Sequence, residues 1–157
     1  MKRHLCFAVL LLLVVVPGQS LAKEIEKGDQ EVAVSFSYVD ADDVDGFWFT
    51  VANYGYYVQP SHYLNGNVVL AGSDSDVSGS YGFRYDYHFN PASNAIGYAG
   101  SSVGFTSGDF SSGISYSVQV GLKVAVREAM FVKLEAAQLF ADDDDVLSLF
   151  AGLGLRF

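Results

Sequence analysis

The strongest constraint on the fold is the alternation of side chains over residues 146–157. Every second position there is apolar: Leu147, Leu149, Ala151, Leu153, Leu155 and Phe157. The positions between them hold Ser148, Phe150, Gly152, Gly154 and Arg156. Side chains alternate between the two faces of a strand, whereas helical spacing would mix Arg156 into the leucines. The stretch therefore predicts a β-strand, and its length and faces suit a tilted strand that crosses a bilayer.

Residues 1–22 predict a secretory signal peptide. Lys2 and Arg3 precede an apolar run over 5–16, and a small-residue region ends at Ala22. A membrane anchor is the weaker alternative, because the run is shorter than the roughly 20 residues that a spanning helix needs. Cys6 is the single cysteine and lies inside this segment, so cleavage would leave a chain without disulfides. Residues 23–30 are charged and aperiodic, and we expect a short flexible leader there.

Strand-like segments fill the rest of the chain. They cover 31–39, 47–58, 63–71, 81–89, 95–107, 114–126, 129–140 and the final 146–157. The period of the second segment is unclear, and a β-bulge near Asn53 or Gly55 would explain it. Short connections between successive strands predict an antiparallel meander, and lipid tolerates no open sheet edge. We therefore predict an all-β, eight-stranded antiparallel up-and-down transmembrane β-barrel over residues 31–157.

The polarity of the strand faces separates this prediction from its nearest rival. A soluble, lipocalin-like barrel would be apolar inside, whereas Arg84 and Lys123 lie on faces opposite long apolar rows. Aromatic residues near strand ends suggest a girdle at the membrane interfaces; they are Tyr38, Tyr56, Tyr57, Tyr63, Tyr87 and Phe89. The formal net charge of −9 argues against a nucleic-acid partner, because no basic surface is available to neutralise phosphates.

Three motifs resemble a known family. They are 55–60 (Gly-Tyr-Tyr-Val-Gln-Pro) at a predicted turn, 85–89 (Tyr-Asp-Tyr-His-Phe) at a strand end, and 153–157 (Leu-Gly-Leu-Arg-Phe). The chain is similar here to the small eight-stranded outer-membrane β-barrels of the OmpA/OmpX type. The resemblance implies a monomer in the outer membrane of a Gram-negative envelope, in contact with outer-membrane lipid and lipopolysaccharide. It also implies insertion by the barrel-assembly machinery, with Leu153, Leu155 and Phe157 as the insertion signal.

The predicted inward face carries the first candidate site. Its ionisable residues are Arg84, Asp86, His88, Lys123, Lys133, Glu135 and Arg156. Because an eight-stranded barrel is only wide enough for side chains to fill, we expect these charges to pair with one another. The main interpretation is a structural charge network in the lumen. The alternative is a small conducting or ligand-binding site, in which the excess of basic residues would favour anions.

Acidic clusters in the predicted outer loops form the second candidate site. They comprise Asp40, Asp42, Asp43 and Asp45, then Asp74 and Asp76, then Asp142, Asp143, Asp144 and Asp145. The simpler interpretation is a solvated, self-repelling rim. The alternative is a rim that binds divalent cations and bridges them to lipopolysaccharide phosphates, since carboxylates suit Ca²⁺ and Mg²⁺. An EF-hand is excluded, because Ala41 and Ala52 would occupy its first and last ligand positions.

No catalytic residue is predicted. Some eight-stranded barrels modify lipid A near the outer leaflet, but His62 and His88 both fall at the predicted periplasmic end. The residues after His88 also lack the His-x-Ser pattern of the lipid A deacylases. We expect a non-enzymatic protein without cofactors, which has a structural or envelope-stabilising role. The alternatives are a narrow pore for small solutes or ions, and a surface interaction or adhesion protein with short loops.

Overall fold

The computed structural model describes residues 24–41, 44–72, 77–107, 113–140 and 145–157. These residues form eight β-strands: β1 (Gln30–Ala41), β2 (Val44–Gln59), β3 (His62–Gly72), β4 (Val77–Phe89), β5 (Ala95–Ser107), β6 (Gly113–Arg127), β7 (Met130–Phe140) and β8 (Asp145–Arg156). Each strand pairs antiparallel with its neighbours in one closed barrel. The predicted fold class is therefore confirmed. Among the described residues, no helix is long and apolar enough to cross a membrane.

The seam between β1 and β8 closes the barrel. Its register runs from Glu31 opposite Arg156 to Phe36 opposite Ala151. Backbone bonds between Gln30 and Phe157, at 2.9 and 3.0 Å, extend the pairing past the end of β8. The first strand thus pairs with the last. This pairing satisfies the backbone N–H and C=O groups that an open sheet edge would expose. Gln30 and Phe157 lie at one end of the barrel, the terminal end.

The outer face of the barrel is apolar and the inner face carries the charges. Every strand exposes large apolar side chains outward, such as Phe36, Tyr54, Val68, Phe83, Phe105, Val118, Phe140 and Leu153. The alternating positions of β4 turn Arg84, Asp86 and His88 inward and bury them. This arrangement is the reverse of a water-soluble barrel, in which apolar side chains fill the core.

The predicted β-bulge in β2 is wrong. The register between β1 and β2 continues without a break from Gln30–Tyr56 to Val39–Phe47, and Asn53 pairs in sequence within it. The register shifts involving β2 lie near its ends, one of them between Tyr57 and Gln59. The period looked irregular because the inner face of β2 mixes polar Asn53 with apolar Val51, and both side chains are buried in the lumen.

Two residues of the predicted aromatic girdle lie in the lumen instead. Tyr57 and Tyr63 are buried, and their ring centroids are 4.8 Å apart. Their positions in the alternation of β2 and β3 turn them inward, although both are close to strand ends. Tyr38, Tyr56, Tyr87 and Phe89 are exposed on the outer face.

Residues 24–29 are not the free leader that their charge suggested. The Ile25 side chain is 1% exposed and packs with Tyr57, Tyr63 and Ile96 at the terminal end of the lumen. The backbone N–H of Gly28 donates to the carbonyl of Tyr57 at 2.8 Å, and the Tyr57 N–H donates to Asp29 O at 2.9 Å. The buried Ile25 side chain and these backbone hydrogen bonds together hold the segment against the barrel.

Candidate functional site: an ion-pair network in the lumen

Inward positions of several strands bring the predicted lumen residues together. Six of the seven enter ion pairs with one another or with Glu31: Arg84, Asp86, Lys123, Lys133, Glu135 and Arg156. All six side chains are buried. They form two clusters, one around Arg84 and one around Glu31.

Arg84 joins two carboxylates in the first cluster. Its Nε donates to both oxygens of Asp86 at 2.9 Å. Its two terminal nitrogens donate to the two oxygens of Glu135, at 3.0 and 2.5 Å. Asp86 lies two residues along β4 and so shares a face with Arg84, whereas Glu135 is supplied by β7. Because β4 and β7 are not neighbours in the sheet, the Arg84–Glu135 pair connects separated walls of the barrel.

Further donors complete the hydrogen bonding of these carboxylates. The Tyr98 hydroxyl donates to Glu135 at 2.7 Å, and Lys133 Nζ lies 3.1 Å from the same Glu135 oxygen. The Gln119 amide donates to Asp86 at 3.2 Å. A buried charge is tolerated when it is paired and its remaining lone pairs are hydrogen-bonded.

Glu31 is the centre of the second cluster. One carboxylate oxygen pairs with Lys123 Nζ. The other accepts from Arg156 Nε at 3.1 Å and from the Tyr57 hydroxyl at 2.6 Å. Four strands, β1, β2, β6 and β8, thus meet at one buried carboxylate near the terminal end.

The sequence-based site missed Glu31, Tyr57, Tyr98 and Gln119. Glu31 follows the charged segment 23–30, and the sequence pattern predicts it only as the start of the first strand, without a lumen role. It nevertheless sits two residues before Ala33, on the same face as Ala33, Ser35 and Ser37, and all four are buried. Extending the alternation of Ala33, Ser35 and Ser37 by one step toward the N-terminus would have placed Glu31 in the lumen.

His88 lies in the lumen but not in the ion-pair network. The side chain is 0% exposed. Neither ring nitrogen has a hydrogen-bond partner among the described residues. Its ring centroid is instead 5.2 Å from that of Tyr57, 5.5 Å from that of Tyr98 and 5.8 Å from that of Tyr63. His88 therefore belongs to an aromatic cluster between the ion pairs and the Ile25 side chain.

A small cavity remains between the two clusters. Its lining includes Glu31, Arg84, Asp86, Lys123 and Lys133, together with Asn53 and Asn65. The space holds about one water-sized group, which is near the lower limit for a hydrated cavity. The space between the two clusters is thus nearly filled by side chains.

The acidic rim falls largely outside the described residues. Asp42, Asp43, Asp74, Asp76, Asp142, Asp143 and Asp144 all lie there. Asp40 is part of β1, Asp45 of β2 and Asp145 of β8, so the strands extend further into the predicted acidic loops than the sequence indicated. Within the described ranges, no three His, Cys, Asp or Glu side chains are grouped to hold a metal ion. Cation binding by the rim remains a prediction.

The residues of the predicted insertion signal share the outer face of β8. Leu153, Leu155 and Phe157 are all exposed there, and Leu153 is 58% exposed. Gly154 and Arg156 are buried on the opposite face. The geometry agrees with the predicted faces of the strand, while recognition by an assembly machinery remains a prediction.

The fold has counterparts among solved structures. The N-terminal β-barrel domain of Pseudomonas aeruginosa OprF matches with a TM-score of 0.63 at 15% identity, over 84% of this chain and 98% of that one. A de novo designed transmembrane β-barrel matches with a TM-score of 0.60 at 17% identity, over 86% and 100%. The Yersinia pestis outer membrane protein Ail matches with a TM-score of 0.60 at 15% identity, over 83% and 100%. No protein-family model and no curated protein matches the chain. At these identities the likeness concerns the fold alone.

Proposed function

We propose that this chain is an integral outer-membrane β-barrel protein with a structural, envelope-stabilising role. The observation that carries the proposal is the polarity of the barrel, with apolar side chains outside and paired charges inside. In water, an outer face of this kind would be a large apolar surface without a partner. In a bilayer, the same face lies against lipid, and the closed sheet leaves no backbone edge unpaired.

The side chains that fill the lumen favour a structural role over ion conduction. Arg84 and Glu135 bridge the lumen. Tyr57, Tyr63 and His88 pack together between the network and Ile25. A pore needs a continuous polar path, whereas the cavity beside the network accepts about one water-sized group. We therefore rank the narrow pore below the structural role.

The remaining parts of the proposal concern location and partners. We propose that residues 1–22 direct secretion, that the barrel-assembly machinery inserts the chain, and that it works as a monomer without catalysis. Its partners would be outer-membrane lipid and lipopolysaccharide. The acidic rim would be a solvated, self-repelling surface, with bridging by divalent cations as the alternative. A surface interaction role through the short outer loops is the alternative.

Cell fractionation and heat-dependent gel migration test the proposal. The expected result is recovery in the outer-membrane fraction, with faster migration in cold detergent than after boiling, because closed membrane barrels resist unfolding by cold detergent. Planar-bilayer recordings on the same protein should show no steady conductance. Recovery from the periplasm without a migration shift would overturn the membrane assignment. A steady ion current would favour the pore instead.

A further inference from the structure

The lumen is filled toward the terminal end and is more open toward the opposite end. Inward side chains near the terminal end are buried, as at Tyr57, Ile96 and Phe131. Toward the opposite end, several inward side chains are only half-buried although they point into the barrel. Six of them define a vestibule: Phe49, Ser80, Ser102, Ser115, Ser117 and Phe150. Solvent thus reaches the vestibule, whereas the ion pairs of Arg84 close the lumen on its inner side.

The two walls of the vestibule differ in their chemistry. Phe49 of β2 and Phe150 of β8 make an edge contact with ring centroids 6.4 Å apart, and the strand between them is β1. The four serines of the vestibule belong to β4, β5 and β6. In a closed ring of eight strands, β5 lies opposite β1. An aromatic wall therefore faces a hydroxyl wall across the lumen.

Small side chains keep the hydroxyl wall shallow. Gly82 pairs with Gly104 within this wall, and Ser102 pairs with Ser117. Glycine and serine fill little of the lumen. An eight-stranded barrel is wide enough either to be filled by larger side chains or to hold one small ligand. The space in front of the serines therefore suits one small molecule.

A chain of hydrogen bonds fixes the direction of the donors in the hydroxyl wall. The Asp86 carboxylate can only accept, and the Gln119 amide nitrogen donates to it at 3.2 Å. The Gln119 amide oxygen therefore faces Ser117 and accepts from its hydroxyl at 3.1 Å. Since the Ser117 hydroxyl has one proton, Ser102 must donate across the 2.7 Å contact between the two hydroxyls. Ser102 keeps two lone pairs, which suit a ligand that carries hydroxyl groups.

The charge of the vestibule limits the class of ligand. None of its six side chains is charged, so an ionic ligand would lose water there without gaining a counter-charge from them. Apolar C–H groups pack well against aromatic rings. We infer that the vestibule binds one small, neutral polyhydroxy molecule of monosaccharide size, with hydroxyl groups on Ser102 and Ser117 and C–H groups on Phe49 and Phe150. Ligand binding of this kind is additional to the structural role and does not depend on it.

NMR titration of the isotope-labelled protein in phosphocholine micelles provides a direct test, with D-glucose, D-galactose and D-mannose as the probes. At least one sugar should cause saturable shifts of the backbone amides of Ser102, Gly104 and Ser117. The amide of Ile96, near the terminal end, should not shift. D-Glucuronate adds a carboxylate and should bind more weakly than D-glucose. The absence of saturable shifts with all three sugars, or tighter binding of glucuronate than of glucose, would overturn the inference.

Variants of adjacent serines on β5 locate the binding site. Ser102→Ala removes the acceptor on the inner face and should weaken sugar binding about 3- to 10-fold, the effect of one lost hydrogen bond. Ser101→Ala is the matched control, because Ser101 is exposed on the outer face, and its dissociation constant should equal that of the wild type. Equal dissociation constants for Ser102→Ala and the wild type would contradict the assigned hydroxyl wall. If Ser102→Ala fails to fold, the wild-type titration still decides the question.

Discussion

Arg84 of β4 and Glu135 of β7 form a two-point ion pair across the lumen, with N–O distances of 3.0 and 2.5 Å. The two strands are not neighbours in the sheet. Backbone hydrogen bonds connect only adjacent strands, so this pair adds a constraint between walls that the ladder does not join directly. The barrel is thus stabilised both around its circumference and through its centre.

Removal of the Glu135 carboxylate should be strongly destabilising. Glu135→Ala leaves Arg84 and Lys133 buried without one of their counter-charges, and we expect a loss of about 3–5 kcal/mol in the free energy of unfolding. The measurement is urea-induced unfolding in detergent or lipid, followed by tryptophan fluorescence. Asp143→Ala in the acidic rim and Glu128→Ala at an exposed position serve as controls. A midpoint for Glu135→Ala equal to those of the controls would contradict the network.

His88 should tolerate an apolar replacement, unlike the network residues. His88→Phe removes ring nitrogens that have no hydrogen-bond partner among the described residues and keeps an aromatic ring beside Tyr57 and Tyr98. We expect the free energy of unfolding to change by less than about 1.5 kcal/mol. Unfolding midpoints of His88→Phe and of the wild type provide the comparison. A loss as large as that of Glu135→Ala would show that His88 carries a polar function.

The outer face of β8 should reject a charge. Leu153→Arg places a guanidinium on the lipid side and should cost about 2–4 kcal/mol if the position lies near the bilayer midplane. Folding yield and unfolding midpoints in lipid vesicles measure this cost. Gly152→Ala is the contrasting change on the inner face, where the added Cβ would lie against the Ser35 side chain and the backbone of β1. A Leu153→Arg variant as stable as the wild type would argue against lipid at this face.

Ile25 should hold residues 24–29 on the barrel. Ile25→Ala removes buried apolar surface beside Tyr57, Tyr63 and Ile96, and we expect local opening to become easier by about 2 kcal/mol. Hydrogen exchange of the Tyr57 amide reports this opening, because that amide donates to Asp29. Glu24→Ala changes an exposed neighbour and should leave the exchange rate unchanged. Equal rates in both variants would mean that Ile25 does not anchor the segment.

The alternation of side chains predicted the fold well because lipid and lumen impose opposite demands on the two strand faces. In β8 the leucines and Arg156 separate cleanly, and the structure places them outside and inside as expected. The pattern was less informative in β2, since the lumen also accepts Val51 and Tyr57. Proximity to strand ends predicts a girdle position for Tyr57 and Tyr63, but the strand face on which a residue lies decides its environment, and both residues lie on the inner face.

The sequence alone could not predict which lumen side chains contact one another. Period two places Arg84 and Glu135 on the inner face, but the contact between them depends on the tilt and stagger of the closed sheet. The same holds for Glu31, which contacts Lys123 and Arg156 from strands distant in sequence. The unpartnered amides of Asn53 and Asn65 also become evident only when the surrounding side chains are placed.

The most direct test of the central claim is a labelling scan of β8 in lipid vesicles. In a Cys6→Ser background, single replacements from Leu147→Cys to Leu155→Cys would carry a nitroxide, and its collisions with lipid-soluble oxygen would be measured. The account predicts high oxygen accessibility at 147, 149, 153 and 155, with low values at 148 and 150, because lipid contacts only the outer face. Gly152 and Gly154 are left unchanged in the scan, since a Cβ there would overlap Ser35 and Phe131. The opposite alternation, or none, would contradict a barrel with lipid outside and paired charges inside.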